Sequence, residues 1–154
     1  ENVFLNIKNK SVTIVADVEV PAGGGEGVIL AQGGRFGGWS LYLKDGKPTY
    51  SYNYLGMQRS SVTAQDPLPA GKATVRLEFA YDGGGMGKGG VGTLYVNDQQ
   101  VGSGRIERTQ AMIFSADETA DVGIDLGTPV VETIGSESAS KFSGSIPKVT
   151  IAVR

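Results

Sequence analysis

A chain of 154 residues with 40% hydrophobic residues, no Cys and no His has the size and apolar content of one folded domain that can bury its own core. Without Cys and His, Ser–His–Asp and Cys–His catalysis and a Cys/His zinc site are excluded, whereas oxygen ligands for a hard cation are available. A net charge of −2, from 14 basic and 16 acidic side chains that are interspersed, leaves no basic footprint for nucleic acid and no polybasic membrane patch.

Glu1 opens the chain directly at a strand-like segment, with no secretory signal in view. That is expected of a processed precursor or of a module of a longer chain. Val12, Ile14, Ala16, Val18 and Val20 alternate with Ser11, Thr13, Asp17 and Glu19, with Val15 the exception on the polar face; this is the pattern of a half-buried strand. "PAGGGEG" breaks the chain, and the following "GVILA", the longest uncharged apolar run, is far too short to span a bilayer. Trp39, Leu41 and Leu43 alternate with Ser40, Tyr42 and Lys44, and Asp45-Gly46 then predicts a tight hairpin. In "YSYNY", Tyr50, Tyr52 and Tyr54 share one strand face. After the breaker "PLPAGK", Val75, Leu77, Phe79 and Tyr81 alternate with Thr74, Arg76, Glu78 and Ala80.

"DGGGMGKGGVG" (82–92) suggests a phosphate loop but fails its spacing: Gly89 follows Gly87-Lys88 where Ser or Thr should stand, and no helical pattern comes after it. A long inter-strand loop is the reading. "VNDQQV" predicts a second hairpin turning on Asn97 and Asp98, "RTQAMIFSADE" offers one short helical turn, and Val149, Ile151 and Val153 close the chain as a strand. With period two almost throughout, the expectation is an all-β domain over residues 1–154, about a dozen antiparallel strands in two packed sheets.

Three sets of residues could carry chemistry. Asp17 and Glu19 have the spacing of paired carboxylates, but they alternate with the apolar set and face outward, as on a solvated sheet face. The tyrosine row with Trp39 is either a sugar-stacking platform or cross-strand packing; if Trp39 shares the face of Leu41 and Leu43, it belongs to the core. Arg35, Arg59, Arg105 and Arg108 could bind an anion bidentately if they converge in space. The block "FSADETADVGIDLGTPV" holds Asp117, Glu118, Asp121 and Asp125 at irregular spacing between glycines. It reads as a compact loop whose acids need hydration, backbone N–H donors or a cation.

The segments "GGWSLYLKDGKPTYSYNYLG", "ATVRLEFAYDG" and "GTLYVNDQQV" resemble the concanavalin A-like, laminin G-like jelly roll. More narrowly, "GVILAQGGRFGGWSLYLKDGKP", "RLEFAYDGGGMGKGG", "GRIERTQAMIFSADETADVGIDLGTPV" and "FSGSIPKVTI" look like the C-terminal module of bacterial arylsulfatases, over about Val3 to Val153. The resemblance implies a noncatalytic accessory domain that packs on a sulfatase catalytic domain or shapes the rim of its cleft. The chain has no C/S-x-P-x-R motif and no His, so no sulfatase residue carries over and no activity is expected of this chain alone. It also implies export to the periplasm or beyond the cell. A second function in view is a lectin-like module binding carbohydrate through Arg35, Trp39, Tyr52, Tyr54 or Arg108; a third is a self-associating structural protein. Laminin G-like domains often hold calcium, which makes Asp121 and Asp125, then Asp117, the first-choice ligands for such an ion.

Overall fold

The structure, a computed structural model, describes residues 4–116 and 119–154. Ten strands run in chain order: β1 (Val12–Val20), β2 (Gly27–Gly34), β3 (Gly37–Lys44), β4 (Lys47–Tyr54), β5 (Gln58–Thr63), β6 (Gly71–Tyr81), β7 (Gly90–Val96), β8 (Gln99–Ile106), β9 (Ala120–Val122) and β10 (Ser145–Val153). They form two antiparallel sheets, ordered β10-β1-β6-β7-β8 and β5-β4-β3-β2-β9. The chain is an all-β jelly-roll sandwich. Among the described residues no helix is long and apolar enough to cross a membrane.

The alternation read in the sequence places the core. Val12, Ile14, Ala16, Val18 and Val20 of β1 and Ala73, Val75, Leu77 and Phe79 of β6 face Ile29, Leu30, Trp39, Leu41, Leu43, Tyr50 and Tyr52 of the second sheet. Asp17 and Glu19 stand on the outer, exposed side of β1, where Asp17 accepts a hydrogen bond from the Thr74 hydroxyl. Both expected hairpins are present. Asp45 and Gly46 have φ of 53° and 73°, and Asn97 and Asp98 have φ of 48° and 66°, the double positive φ of a two-residue turn matched to strand twist.

β2, β3 and β4 are buried along almost their whole lengths, because the outer face of the second sheet is also covered. The segment from Gly123 to Gly144 folds back over it as a strap. Val130, Val131 and Ile134 of the strap close a second apolar cluster on Val28, Ala31 and Tyr42. A strand buried on both faces reads as a continuous apolar run instead of an alternation, which accounts for "GVILA". A register shift between Val28 and Leu30 sends Ile29 and Leu30 together to the main core while Val28 and Ala31 face the strap.

Two expectations are corrected. The described strands number ten, not a dozen, because the described residues between 107 and 144 pair into a ladder only at β9 and are otherwise held by isolated backbone and side-chain hydrogen bonds. The helical turn expected in "RTQAMIFSADE" is absent from its described part, 108–116; the helical turns are instead a 3-10 turn at Glu132–Ile134 and α1 (Glu137–Ser140), both in the strap. Ser136 caps α1 by accepting from the Ala139 N–H.

Candidate functional site

The arginines expected to need convergence meet, in part, at one end of the second sheet. Arg35 and Phe36 form the tip between β2 and β3. The sequence dictates this local fold: Gly33 has φ of 84°, and a Cβ there would collide with the Gly37 carbonyl, so only glycine lets the two strands close so tightly. The tip is tethered on both sides. The Arg35 N–H donates to Thr128 Oγ1 at 3.2 Å and the Phe36 N–H to Ser115 Oγ at 3.0 Å. With its backbone fixed, Phe36 is left 63% exposed, and the Arg35 guanidinium lies over its ring at 4.9 Å.

The turn between β4 and β5 stands beside this tip, Gly56 packing against Arg35 and Phe36. Leu55 adopts φ of 55°, an unusual region for a branched side chain, and Asn53 holds it there. The Asn53 carbonyl accepts from the Gly56 N–H at 2.8 Å. Its amide donates to the Val130 carbonyl at 2.7 Å and to the Arg35 carbonyl at 3.0 Å. One buried side chain therefore ties tip, turn and strap together. Leu55 and Met57 are exposed in the β4–β5 turn, and Met112 and Ile113 are exposed just before Ser115.

Arg59, on β5, completes the group. Its Nη1 donates to the Gly56 carbonyl at 2.7 Å and its Nη2 to Glu132 Oε1 of the strap, also at 2.7 Å. A hydrogen bond from its own main-chain N–H, then the charge and hydrogen bond of Arg59 and the charge of Arg35, hold the Glu132 carboxyl below the usual carboxylate range against desolvation. Arg59 thus pairs with Glu132, whereas Arg35, lying over Phe36, adds only its charge to the surroundings of that carboxylate. Arg105 is committed elsewhere, to Asp82 at 2.8 Å. Arg108 is exposed beside Thr109, which donates to the Lys88 carbonyl in the glycine-rich loop, and among the described residues no hydrogen bond or ion pair joins it to Arg35 or Arg59.

Two of the aromatic ligand residues expected from the sequence, Trp39 and Tyr52, are corrected. Trp39 is 0% exposed, with its indole N–H donating to Gln32 Oε1 at 3.1 Å inside the core. Tyr52 is buried, its hydroxyl accepting from the Gln110 N–H at 2.7 Å. The tyrosine row does share one face, but that face is inward, and Tyr54 is only partly exposed where it packs on the core. Burial leaves Trp39, Tyr50 and Tyr52 no face on which a sugar could stack. Phe36 was missed; the signal for it is "GGRFGG", an aromatic between paired glycines where a strand pair must turn.

The acidic block is built as a hydrogen-bonded loop. Asp125 is 1% exposed and accepts from the Val130 N–H at 3.0 Å, while Ser140 Oγ accepts from the Asp125 N–H at 2.9 Å. Asp121 accepts from the Leu126 N–H and Glu137 from the Gly127 N–H, each at 3.0 Å. Asp117 and Glu118 lie outside the described residues. Among the described residues no group of three or more acidic side chains is gathered as a metal site would require. Each of Asp121, Asp125 and Glu137 thus has a backbone N–H donor.

No family model matches the chain, and no curated protein does. Solved structures match by shape. The CBM40 domain of the Ruminococcus gnavus IT-sialidase is 16% identical at a TM-score of 0.62, covering 94% of this chain and 76% of that one; it has also been solved with α2,3-sialyllactose. A putative carbohydrate-binding protein from Bacteroides ovatus is 15% identical at 0.61, over 96% of this chain and 38% of that one. The LG1–3 region of the laminin α2 chain is 17% identical at 0.58, over 92% and 27%. A SAP-like pentraxin from Limulus polyphemus is 16% identical at 0.57, over 92% and 63%. The chain thus spans less than two thirds of several of these proteins. At such identities the likeness defines the concanavalin A-like, laminin G-like jelly-roll fold and nothing finer.

Proposed function

We propose that this chain is a noncatalytic, lectin-like carbohydrate-binding module whose ligand sits on the Arg35–Phe36 tip. The observation that carries the reading is the exposed Phe36 ring beside Arg35 and Arg59, held by backbone tethers from two flanking loops. An exposed ring supplies the apolar face on which a pyranose stacks, and adjacent guanidiniums supply donors for its oxygens. Carbohydrate binding by structural neighbours of the same fold supports the class of ligand. The proposal includes export and a single domain over residues 1–154 that serves as a module of a longer chain.

The test is a titration of 3′-sialyllactose and lactose against wild type, Phe36→Ala and Arg35→Ala. Binding by wild type that falls at least about fivefold in Phe36→Ala, the loss of a stacking contact of about 1 kcal/mol, supports the tip. Equal binding by all three proteins would place the sugar elsewhere.

The sequence blocks that look like the C-terminal module of bacterial arylsulfatases support a second reading, an accessory domain packed on a sulfatase catalytic domain. The exposed Met57, Met112 and Ile113 are side chains that such packing would cover. Under that reading the isolated chain binds no free sugar, and it hydrolyses no aryl sulfate under either.

A further inference from the structure

Charge is distributed unevenly among the arginines. Arg76 holds both Asp98, at 2.6 Å, and Glu78, at 3.2 Å. Arg105 holds both Asp82 and Glu107. At the tip one carboxylate, Glu132, pairs with Arg59 at 2.7 Å, and the Arg35 guanidinium lies over the Phe36 ring with no ion pair to an acid among the described residues. That carboxylate comes from the strap, not from β5, which carries Arg59, and its side chain is 74% exposed.

We propose that the ligand of this tip is a glycan carrying an oxyanion, a carboxylate or a sulfate ester, and that Glu132 is a built-in competitor occupying Arg59 until such a ligand displaces it. The identity of the ligand as a sugar rests on the carbohydrate-binding reading; the competition rests on geometry. Arg59 is oriented by two partners, and one of them, the Gly56 carbonyl, belongs to the rigid turn. Release of Glu132 therefore leaves the guanidinium aimed, with its Nη2 donor open to a new oxygen. An exposed carboxylate regains water at once when it lets go, so the pair contributes little and is replaced at small cost. A sugar-borne carboxylate or sulfate offers Arg59 the same oxygen acceptor. It adds what Glu132 lacks: a pyranose face against Phe36, the ring over which Arg35 lies. A neutral sugar gains only the ring contact and leaves Glu132 in place.

The experiment uses Glu132→Gln, which keeps the shape of the side chain and removes its charge. Sodium sulfate is titrated into wild type and variant while the arginine side-chain N–H resonances are followed by NMR; lactose, 3′-sialyllactose and lactose 3′-sulfate are then titrated in turn. Sulfate is expected to shift the Arg59 signal in both proteins, with a dissociation constant about two- to fivefold lower in Glu132→Gln, the span set by an exposed ion pair. The two charged sugars should gain by a similar factor and lactose by none. An unchanged or weaker response of Arg59 to sulfate in Glu132→Gln overturns the competitor, whatever the sugars do. Gains by lactose equal to those of the charged sugars overturn it as well. Sulfate binding that tightens in the variant, with no sugar bound by either protein, would instead overturn the glycan ligand and the carbohydrate reading beneath it.

Discussion

Asp125 shows how one side chain in the acidic block changes meaning between sequence and structure. As a letter it is a candidate calcium ligand; in the fold it is buried and holds the Val130 N–H. Asp125→Ala is expected to destabilise by about 1–3 kcal/mol in urea unfolding, because the buried Val130 amide loses its acceptor. Melts of the wild type in EDTA and in millimolar calcium are expected to coincide, since Asp121 and Asp125 already serve backbone donors; a rise with calcium would restore the cation reading. The buried tyrosines give a pH dependence. Burial, with the charge of Tyr52 added, raises Tyr50 well above the ordinary value of 10.0. Burial likewise raises Tyr52, against the Gln110 hydrogen bond. The proton is therefore held more tightly in the folded state, and the stability this confers is complete below pH 10 and lost as pH rises further. Absorbance titration should show at least two of the six tyrosines ionising only as the chain unfolds. Trp39 is a second probe: its emission should be blue-shifted, resistant to acrylamide and unmoved by any sugar, whereas a ligand that quenched it directly would return it to the binding site.

At the scale of elements, the strands were legible and the strap was not. Alternation in β1, β3 and β6 and the Asp45-Gly46 and Asn97-Asp98 turns appear in the chain as they appear in the fold, since strand faces and two-residue turns are set by neighbours in sequence. The strap follows no period. It is held by single bonds from distant residues, such as Asn53 to Val130 and Tyr42 to Thr133, and by the close pass of Lys141 over Gly27, where a Cβ would strike the Lys141 carbonyl. Gly33→Ala is expected to cost more than about 2 kcal/mol, from positive φ and collision together. The loss should be read by chemical denaturation, with the Phe36 tip displaced, and an unaltered midpoint would refute the close approach. The sheet edges matter to self-association. β5 runs beside β8 on one side of the sandwich, while β10 is an outer strand of the other sheet and carries Pro147 and Lys148, residues that oppose edge-to-edge pairing. Light scattering should report a monomer for the wild type, with dimers growing in a variant that replaces both by Thr.

For the whole molecule, the two sheets act as a rigid base that presents one end. The strap covers the outer face of the second sheet and leaves the Arg35–Phe36 tip and the β4–β5 turn open beside it. The sequence by itself determined the class of fold, the sheet faces and the exclusion of Cys- and His-based chemistry, because composition and period two act locally and every strand repeats them. It also raised the arginines as an anion site. Only the tertiary structure decided their partners: Arg59 pairs with Glu132, 73 positions further on, and Arg35 lies over Phe36. It likewise decided that Trp39 and Tyr52 are core and Phe36 is surface. Alternation tells which residues share a face, but which face turns inward depends on what packs against it, and here both faces of the second sheet are covered by segments far away in the chain.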